Sequence, residues 1–246
     1  MLFKDRAIIR LEAADSTNNY AANIIRLSSP PEGTVITAQH QSGGKGQRGA
    51  LWESDPGENL LCSLILYPNF LSAAHYFYLS QTISLALREI VENHTGQPVY
   101  VKWPNDIVLN NKKLAGILME ATWSGSKMQS AIAGMGINLN QISFQHPNAI
   151  SIRQVTGQSW DVDDCLVALL SSIDKYYLKL QSGNFSEISR LYRQHLFRIG
   201  QVGRYIFRGA EIEATITGVD ETGRLKLISG TGERITCDLK EIGMVW

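Results

Sequence analysis

The sequence predicts an α+β protein of two unequal parts, and two textures along its 246 residues carry that expectation. Up to residue 197, segments with helical spacing are mixed with short apolar strands. Beyond it, glycine-punctuated runs such as EIEATITGV and LKLIS contain only strand patterns and describe a small antiparallel barrel of about fifty residues. The composition suits such a fold without a staple. It is 44% hydrophobic and 19% charged, and a chain of this size buries roughly three-quarters of its unfolded surface. The 23 Lys and Arg residues balance 23 Asp and Glu, which argues against a protein whose main work is holding nucleic acid. Cys62, Cys165 and Cys237 lie more than seventy residues apart, with no CxxC or HxxxH pattern. They are expected as free thiols packed like small hydrophobes in a reducing compartment. No window approaches eighteen uninterrupted apolar residues, and the N-terminal stretch is charged throughout. The expectation is a soluble cytoplasmic protein.

The elements follow in order. Asp15 and Ser16 start a helix that carries Tyr20, Ala21, Ile24, Ile25 and Leu27 on one face and ends at Ser28-Ser29-Pro30-Pro31. Residues 33–38 form a strand, and a glycine-rich loop runs over 40–52. The mostly apolar run 59–67 is a strand covered on both faces. A long amphipathic helix over 73–93 precedes short strands at 99–103, 107–109 and 113–119, with Asn110-Asn111 as a hairpin turn. A strand at 131–137 and helices over 162–181 and 185–197 complete the first part.

Several segments are candidates for chemistry. In the loop over 43–49, Gly44, Gly46 and Gly49 satisfy G-x-G-x-x-G, but the Pro56-Gly57 that follows cannot open the helix a dinucleotide fold requires. What remains is a flexible backbone with two cations, Lys45 and Arg48, suited to closing over an anion; it is equally a plain surface loop. Lys102-Trp103-Pro104-Asn105-Asp106 leaves a lysine and a carboxylate at one strand end, able to hold phosphate and a divalent cation or simply to pair with each other. Lys113 opens an apolar strand whose interior Gly116 marks close approach of a ligand or another backbone. Gly134-Met135-Gly136-Ile137-Asn138 repeats that theme. Ser16-Thr17-Asn18 offers hydroxyl and amide groups that are also ordinary helix caps.

Taken in order, Ser16-Thr17-Asn18, the glycine-rich loop ending in Trp52, KWPND at 102–106, KLAGIL at 113–118 and GMGIN at 134–138 resemble the biotin protein ligases, or biotin–[acetyl-CoA-carboxylase] ligases. The resemblance covers nearly the whole chain. It implies a class II aminoacyl-tRNA synthetase-like (biotin/lipoate ligase) catalytic domain with a mixed sheet over 1–197 and a C-terminal SH3-like barrel over 198–246. It also implies two reaction steps with MgATP: formation of biotinyl-5′-AMP, then transfer to one lysine of a carrier domain.

By the same resemblance, Lys113 bridges the biotin carboxylate and the α-phosphate, while Lys45, with Gly46 and Gln47, closes over biotin and adenylate. Lys102 serves the phosphates, and Asp106 holds Mg²⁺ directly or through water. Ser16, Thr17, Asn18 and Gln41 match positions for the ureido ring, with Gly116 letting the ring lie against backbone. Arg48, Asn105, Trp52 and Asn138 fall to the nucleotide, the last two matching positions that contact adenine.

The implied partner is the biotin carboxyl carrier domain of acetyl-CoA carboxylase or a related carboxylase, with no nucleic acid, no membrane, and a monomer or weak homodimer. Two features depart from many relatives: Lys45 and Gln47 stand where arginines are common, and lysine lacks the planar fork of arginine. The first motif begins at residue 16, which leads to the expectation of a ligase that is not a repressor. The alternatives are a lipoate or octanoate ligase or transferase of the same superfamily, a non-catalytic biotin-binding module, and a nucleic-acid binder using the C-terminal barrel.

Overall fold

The computed structural model describes residues 6–245, with the Arg48 side chain outside the described set. In chain order the elements are β1 (Ile8–Ala14), α1 (Thr17–Ser28), β2 (Val35–Gln41), β3 (Leu60–Leu66), α2 (Tyr76–Thr95), β4 (Tyr100–Lys102), β5 (Asp106–Leu109), β6 (Lys112–Ser124) and β7 (Lys127–Ile137). Then come α3 (Ile152–Thr156), α4 (Val162–Gln181) and α5 (Phe185–Gln194), and finally β8 (Val202–Phe207), β9 (Ala210–Val219), β10 (Leu225–Ser229), β11 (Arg234–Cys237) and β12 (Ile242–Met244). No helix among the described residues is long and apolar enough to cross a membrane.

The first seven strands form one sheet in the order β1-β2-β3-β7-β6-β5-β4. Only β1 and β2 run parallel, so the sheet is mixed, as expected. The run 60–66 is buried along its whole length. Its alternation divides the core: Leu60, Cys62, Leu64 and Leu66 join the large cluster that holds α2 and α4, and Ile65 joins a smaller one with Ala21, Ile36 and Ile132 under α1. Fully burying one such leucine or isoleucine is worth about 1.5–3 kcal/mol, so both faces of the strand are fixed by packing.

Several elements differ from the sequence reading. Residues 8–14 form an edge strand whose charged residues hid it. The strands expected at 113–119 and 131–137 are one long hairpin turning at Gly125, whose φ of 59° suits glycine. Asn110 and Asn111 both adopt positive φ, 51° and 59°, as a tight hairpin turn requires. The last helix stops at Gln194 instead of 197, because residues 195–197 leave it to bond β4: Val101 N–H donates to the His195 carbonyl and Phe197 N–H to the Val101 carbonyl, each at 2.8 Å. All three cysteines are free and buried. Burial pushes the Cys62 thiol up to about 12.

The C-terminal strands form a five-stranded antiparallel sheet in the order β11-β10-β9-β8-β12. The described pairings leave β11 and β12 as its edges, so an open sheet stands where a closed barrel was expected. Those edge strands are only four and three residues long. Its β9–β10 turn is clamped to the first sheet, because Trp103 Nε1 donates to the Gly223 carbonyl at 2.8 Å. Gly223 has φ 94°, and a Cβ there would stand 2.6 Å from the Phe77 ring.

Candidate active site

The face of the first sheet opposite α2 is only partly covered by α1, and small residues keep the rest of it open. Along β7 the side chains on this face run Ile132, Gly134, Gly136. Ile132 packs under α1. A Cβ on Gly134 would lie 2.2 Å from Asn18 Oδ1, and one on Gly136 would lie 2.4 Å from the Trp52 indole. Gly116 is the cross-strand partner of Gly136, and a Cβ there would meet both Trp52, at 2.9 Å, and the Lys113 Cε, at 3.2 Å. The paired glycines form a flat floor on which the indole lies. Register carries the row outward: Gly116 pairs with Asp106, and Asp106 with Lys102.

Above this floor is a cavity of about 320 Å³, within the range of small-ligand sites. The structure brings to it Ser16, Thr17, Asn18, Gln41, Lys45, Gly46, Gln47, Trp52, Lys102, Asn105, Asp106, Lys113 and Gly116. Asn138 is not in the lining; its amide donates to the Ile150 carbonyl at 3.1 Å and its backbone N–H to the Leu114 carbonyl at 2.9 Å. Arg48 lies outside the described side chains. Asn105 touches the cavity, but its amide donates to the Ile117 carbonyl, which locks the turn after the cis Trp103–Pro104 peptide.

At one end of the cavity a polar chain is already in place. Thr17 donates to Gln41 Oε1 through its backbone N–H (2.7 Å) and its hydroxyl (3.1 Å). The Ser63 hydroxyl bridges Thr17 Oγ1 at 2.7 Å and Asn18 Oδ1 at 2.6 Å, and the Asn18 amide donates to Glu120 Oε2 at 2.7 Å. Ser16 sits at the N-cap of α1, makes no side-chain capping bond, and lines the cavity.

Charge concentrates at the other end. Lys113 Nζ lies 2.8 Å from Asp106 Oδ1 and 5.4 Å from the Trp52 ring centre. Burial lowers the pKa of Lys102; Asp106 opposes this, while Lys113 and Arg198 add to the lowering. The glycine-rich loop folds back on itself, with Trp52 N–H donating to the Gly44 carbonyl at 2.9 Å. Lys45 reaches out to α1, donating to Asn19 Oδ1 at 2.6 Å.

Sequence reasoning missed Ser63, Glu120 and every contribution of the C-terminal sheet, which supplies Leu225 and Met244 among others. Ser63 had a readable signal, a lone hydroxyl inside the apolar run NLLCSLILY.

The sequence profile of the Biotin/lipoate A/B protein ligase family matches residues 11–138, which contain every one of these first-sheet positions. The chain belongs to the biotin/lipoate A/B protein ligase family. A biotin–[acetyl-CoA-carboxylase] ligase of Paracoccus denitrificans is 30% identical over 236 residues, covering 92% of this family member and 95% of that protein. The bifunctional ligase/repressor BirA of Bacillus spizizenii is 29% identical over 222 residues, 88% of this chain and 68% of that one. Among solved structures, the biotin protein ligase of Aquifex aeolicus in complex with biotin and ATP superimposes with a TM-score of 0.81 at 24% identity, covering 97% of this chain and 98% of that chain. The biotin protein ligase fold therefore extends through the C-terminal sheet.

Proposed function

We propose that this family member is an ATP-dependent biotin protein ligase that activates biotin as biotinyl-5′-AMP and transfers it to a lysine of a biotin carboxyl carrier domain. One observation carries the reading. A single cavity joins a neutral hydrogen-bonding end, built on Ser16, Thr17, Asn18 and Gln41, to a charged end, built on Lys113, Asp106 and Lys102. A ureido ring with a carboxylate tail has that same polarity, neutral head and anionic end.

In the first step a biotin carboxylate oxygen attacks the α-phosphorus of ATP; the bond from that phosphorus to the bridging oxygen breaks, and pyrophosphate leaves with the electron pair. Two anions must meet, so the chain's contribution is cationic. Lys113 faces both, Lys102 takes the phosphates, and Lys45 swings from Asn19 with Gly46 and Gln47 to cover the adenylate. Trp52 on its glycine floor bounds the nucleotide side. In the second step the carrier lysine's neutral amine attacks the acyl carbon, AMP leaves with the electron pair of the acyl–oxygen bond, and the nitrogen gives up one proton to solvent as the amide forms.

Mg²⁺ fits as an ion carried on the phosphates: among the described residues no cluster of three or more His, Cys, Asp or Glu side chains forms a cage, and Asp106 offers one carboxylate. Bound there it would neutralise charge on the phosphates. In this reading residues 1–197 are the catalytic domain, of the class II aminoacyl-tRNA synthetase type, and 198–246 a smaller SH3-type domain. The protein acts in the cytoplasm as a monomer or weak homodimer.

The test is transfer of labelled biotin, with MgATP, to a purified carrier domain and to its lysine-to-arginine variant. Label on the first alone is expected. Label on neither, with lipoate or octanoate transferred instead, would assign the protein to the sister activity.

A further inference from the structure

The neutral end of the cavity is held by a residue that does not line it. Glu120 is exposed on β6, on the same face of the strand as Gly116 and Leu118. Its Oε2 takes a hydrogen bond from the Asn18 amide at 2.7 Å, and the Leu118 carbonyl faces the same nitrogen at 3.4 Å. A carboxylate and a carbonyl can only accept, so the end of the amide toward β6 is its NH2. Asn18 is 3% exposed and lies flat against β7: a Cβ on Gly134 would stand 2.2 Å from its Oδ1, 2.8 Å from its Cγ and 2.9 Å from its Nδ2. The carbonyl end of the amide is thereby turned to Ser63.

Two hydroxyl protons follow from that choice. Ser63 is fully buried and has one of them. Asn18 Oδ1, 2.6 Å away, can only accept, so the Ser63 proton goes to Asn18. None is left for Thr17 Oγ1, 2.7 Å on the other side of Ser63. The Thr17 proton is shared between Ser63 and Gln41 Oε1, and none remains for the cavity. What Thr17 presents to an occupant is a lone pair. Turning the Asn18 amide over would reverse the chain. Its nitrogen would donate to Ser63 and Ser63 to Thr17, freeing the Thr17 proton, since Gln41 Oε1 already takes the Thr17 backbone N–H at 2.7 Å. Glu120 opposes that turn, because it would set two acceptor oxygens face to face.

We propose that Glu120 is a positioning residue that acts through Asn18 and Ser63 to make the Thr17 hydroxyl an acceptor, selecting a ligand whose ring carries N–H there over one that carries oxygen. This rests on the ligase reading for the identity of the ligand, a cyclic urea, but not on the chemistry performed at its carboxylate. Glu120 itself touches no substrate.

Calorimetric titration of biotin into wild type, Glu120→Gln and Glu120→Lys tests it, beside the two cyclic carbamates in which one or other ring N–H is replaced by oxygen. Glutamine can accept or donate and no longer holds the amide one way round; lysine can only donate and turns it over. Biotin binding is expected to weaken about twofold with glutamine and about tenfold with lysine, with ATP binding not weakened in either. For one carbamate, the preference for biotin should be about tenfold in wild type and should fall in both variants, further with lysine. Biotin affinity and preference unchanged in the variants would overturn the inference. So would an equal loss for biotin and both carbamates, the mark of a merely structural contact. If the lysine variant does not fold, the preference of the glutamine variant alone decides. Biotin binding that depends on Glu120 in a protein showing no biotin-dependent pyrophosphate exchange would uphold the positioning role while removing the ligase reading. Wild type that binds no biotin would overturn both.

Discussion

Lys113 Nζ stands 2.8 Å from Asp106 Oδ1 across the β5–β6 hairpin. The cation proposed for the two reacting anions is thus held by the carboxylate proposed for the metal. Both groups are partly exposed, so the pair adds little to stability. Its consequence is placement: the lysine is kept over Gly116 before any ligand arrives. Lys113→Ala is expected to lower the rate of biotinyl-AMP formation by on the order of a hundredfold or more, the usual scale for one electrostatic stabiliser. Asp106→Asn is expected to raise the Mg²⁺ concentration needed for half-maximal rate. Single-turnover adenylate formation measured across a magnesium series checks both.

Ser63 binds together the two helix-start residues that face the neutral end of the cavity. Ser63→Ala leaves Asn18 and Thr17 without that bridge. The KM for biotin is expected to rise about tenfold, equivalent to ~1.4 kcal/mol, with the KM for ATP unchanged. Steady-state kinetics in each substrate separates the two.

Gly136 has no room for a methyl group beneath Trp52. Gly136→Ala is expected to displace the indole and cost about 1–3 kcal/mol, as overpacking does. A lowered Tm together with altered Trp52 fluorescence would register it, and Trp52→Ala in the same background should restore much of the stability.

Burial leaves Lys102 with a lowered pKa. Polyphosphate binding favours the charged ammonium, so binding is full below that pKa and weakens as pH rises through it. ATP affinity should therefore fall on the alkaline side at a pH below that of an ordinary lysine. Lys102→Arg keeps its proton throughout and should remove this limb. Nucleotide titrations at a series of pH values read it directly.

Much of the site was legible because its logic is local. Lys113, Gly116 and Gly136 stand out as a lysine and interior glycines in apolar strands, and the structure gives the reason in the indole that lies across them. Register was not legible. Nothing in KWPND and KLAGIL says that Asp106 pairs with Gly116, because that depends on a hairpin whose register shifts after Ile107. The edge strand β1 was hidden because a half-exposed strand with charges carries a weak pattern. Asn138 looks like a ligand amide in sequence, yet its bond to the Ile150 carbonyl depends on a segment twelve residues away. Glu120 carried no sequence signal either, since only the packing of α1 on the sheet brings Asn18 to it.

The most direct single measurement is ATP–pyrophosphate exchange by the purified protein with magnesium, comparing biotin, lipoate and octanoate. Exchange that depends on biotin alone is the expected result, since it requires the neutral and charged ends of the cavity to act on one molecule. Exchange with lipoate or octanoate and none with biotin, or no exchange with any of the three from folded protein, would contradict it.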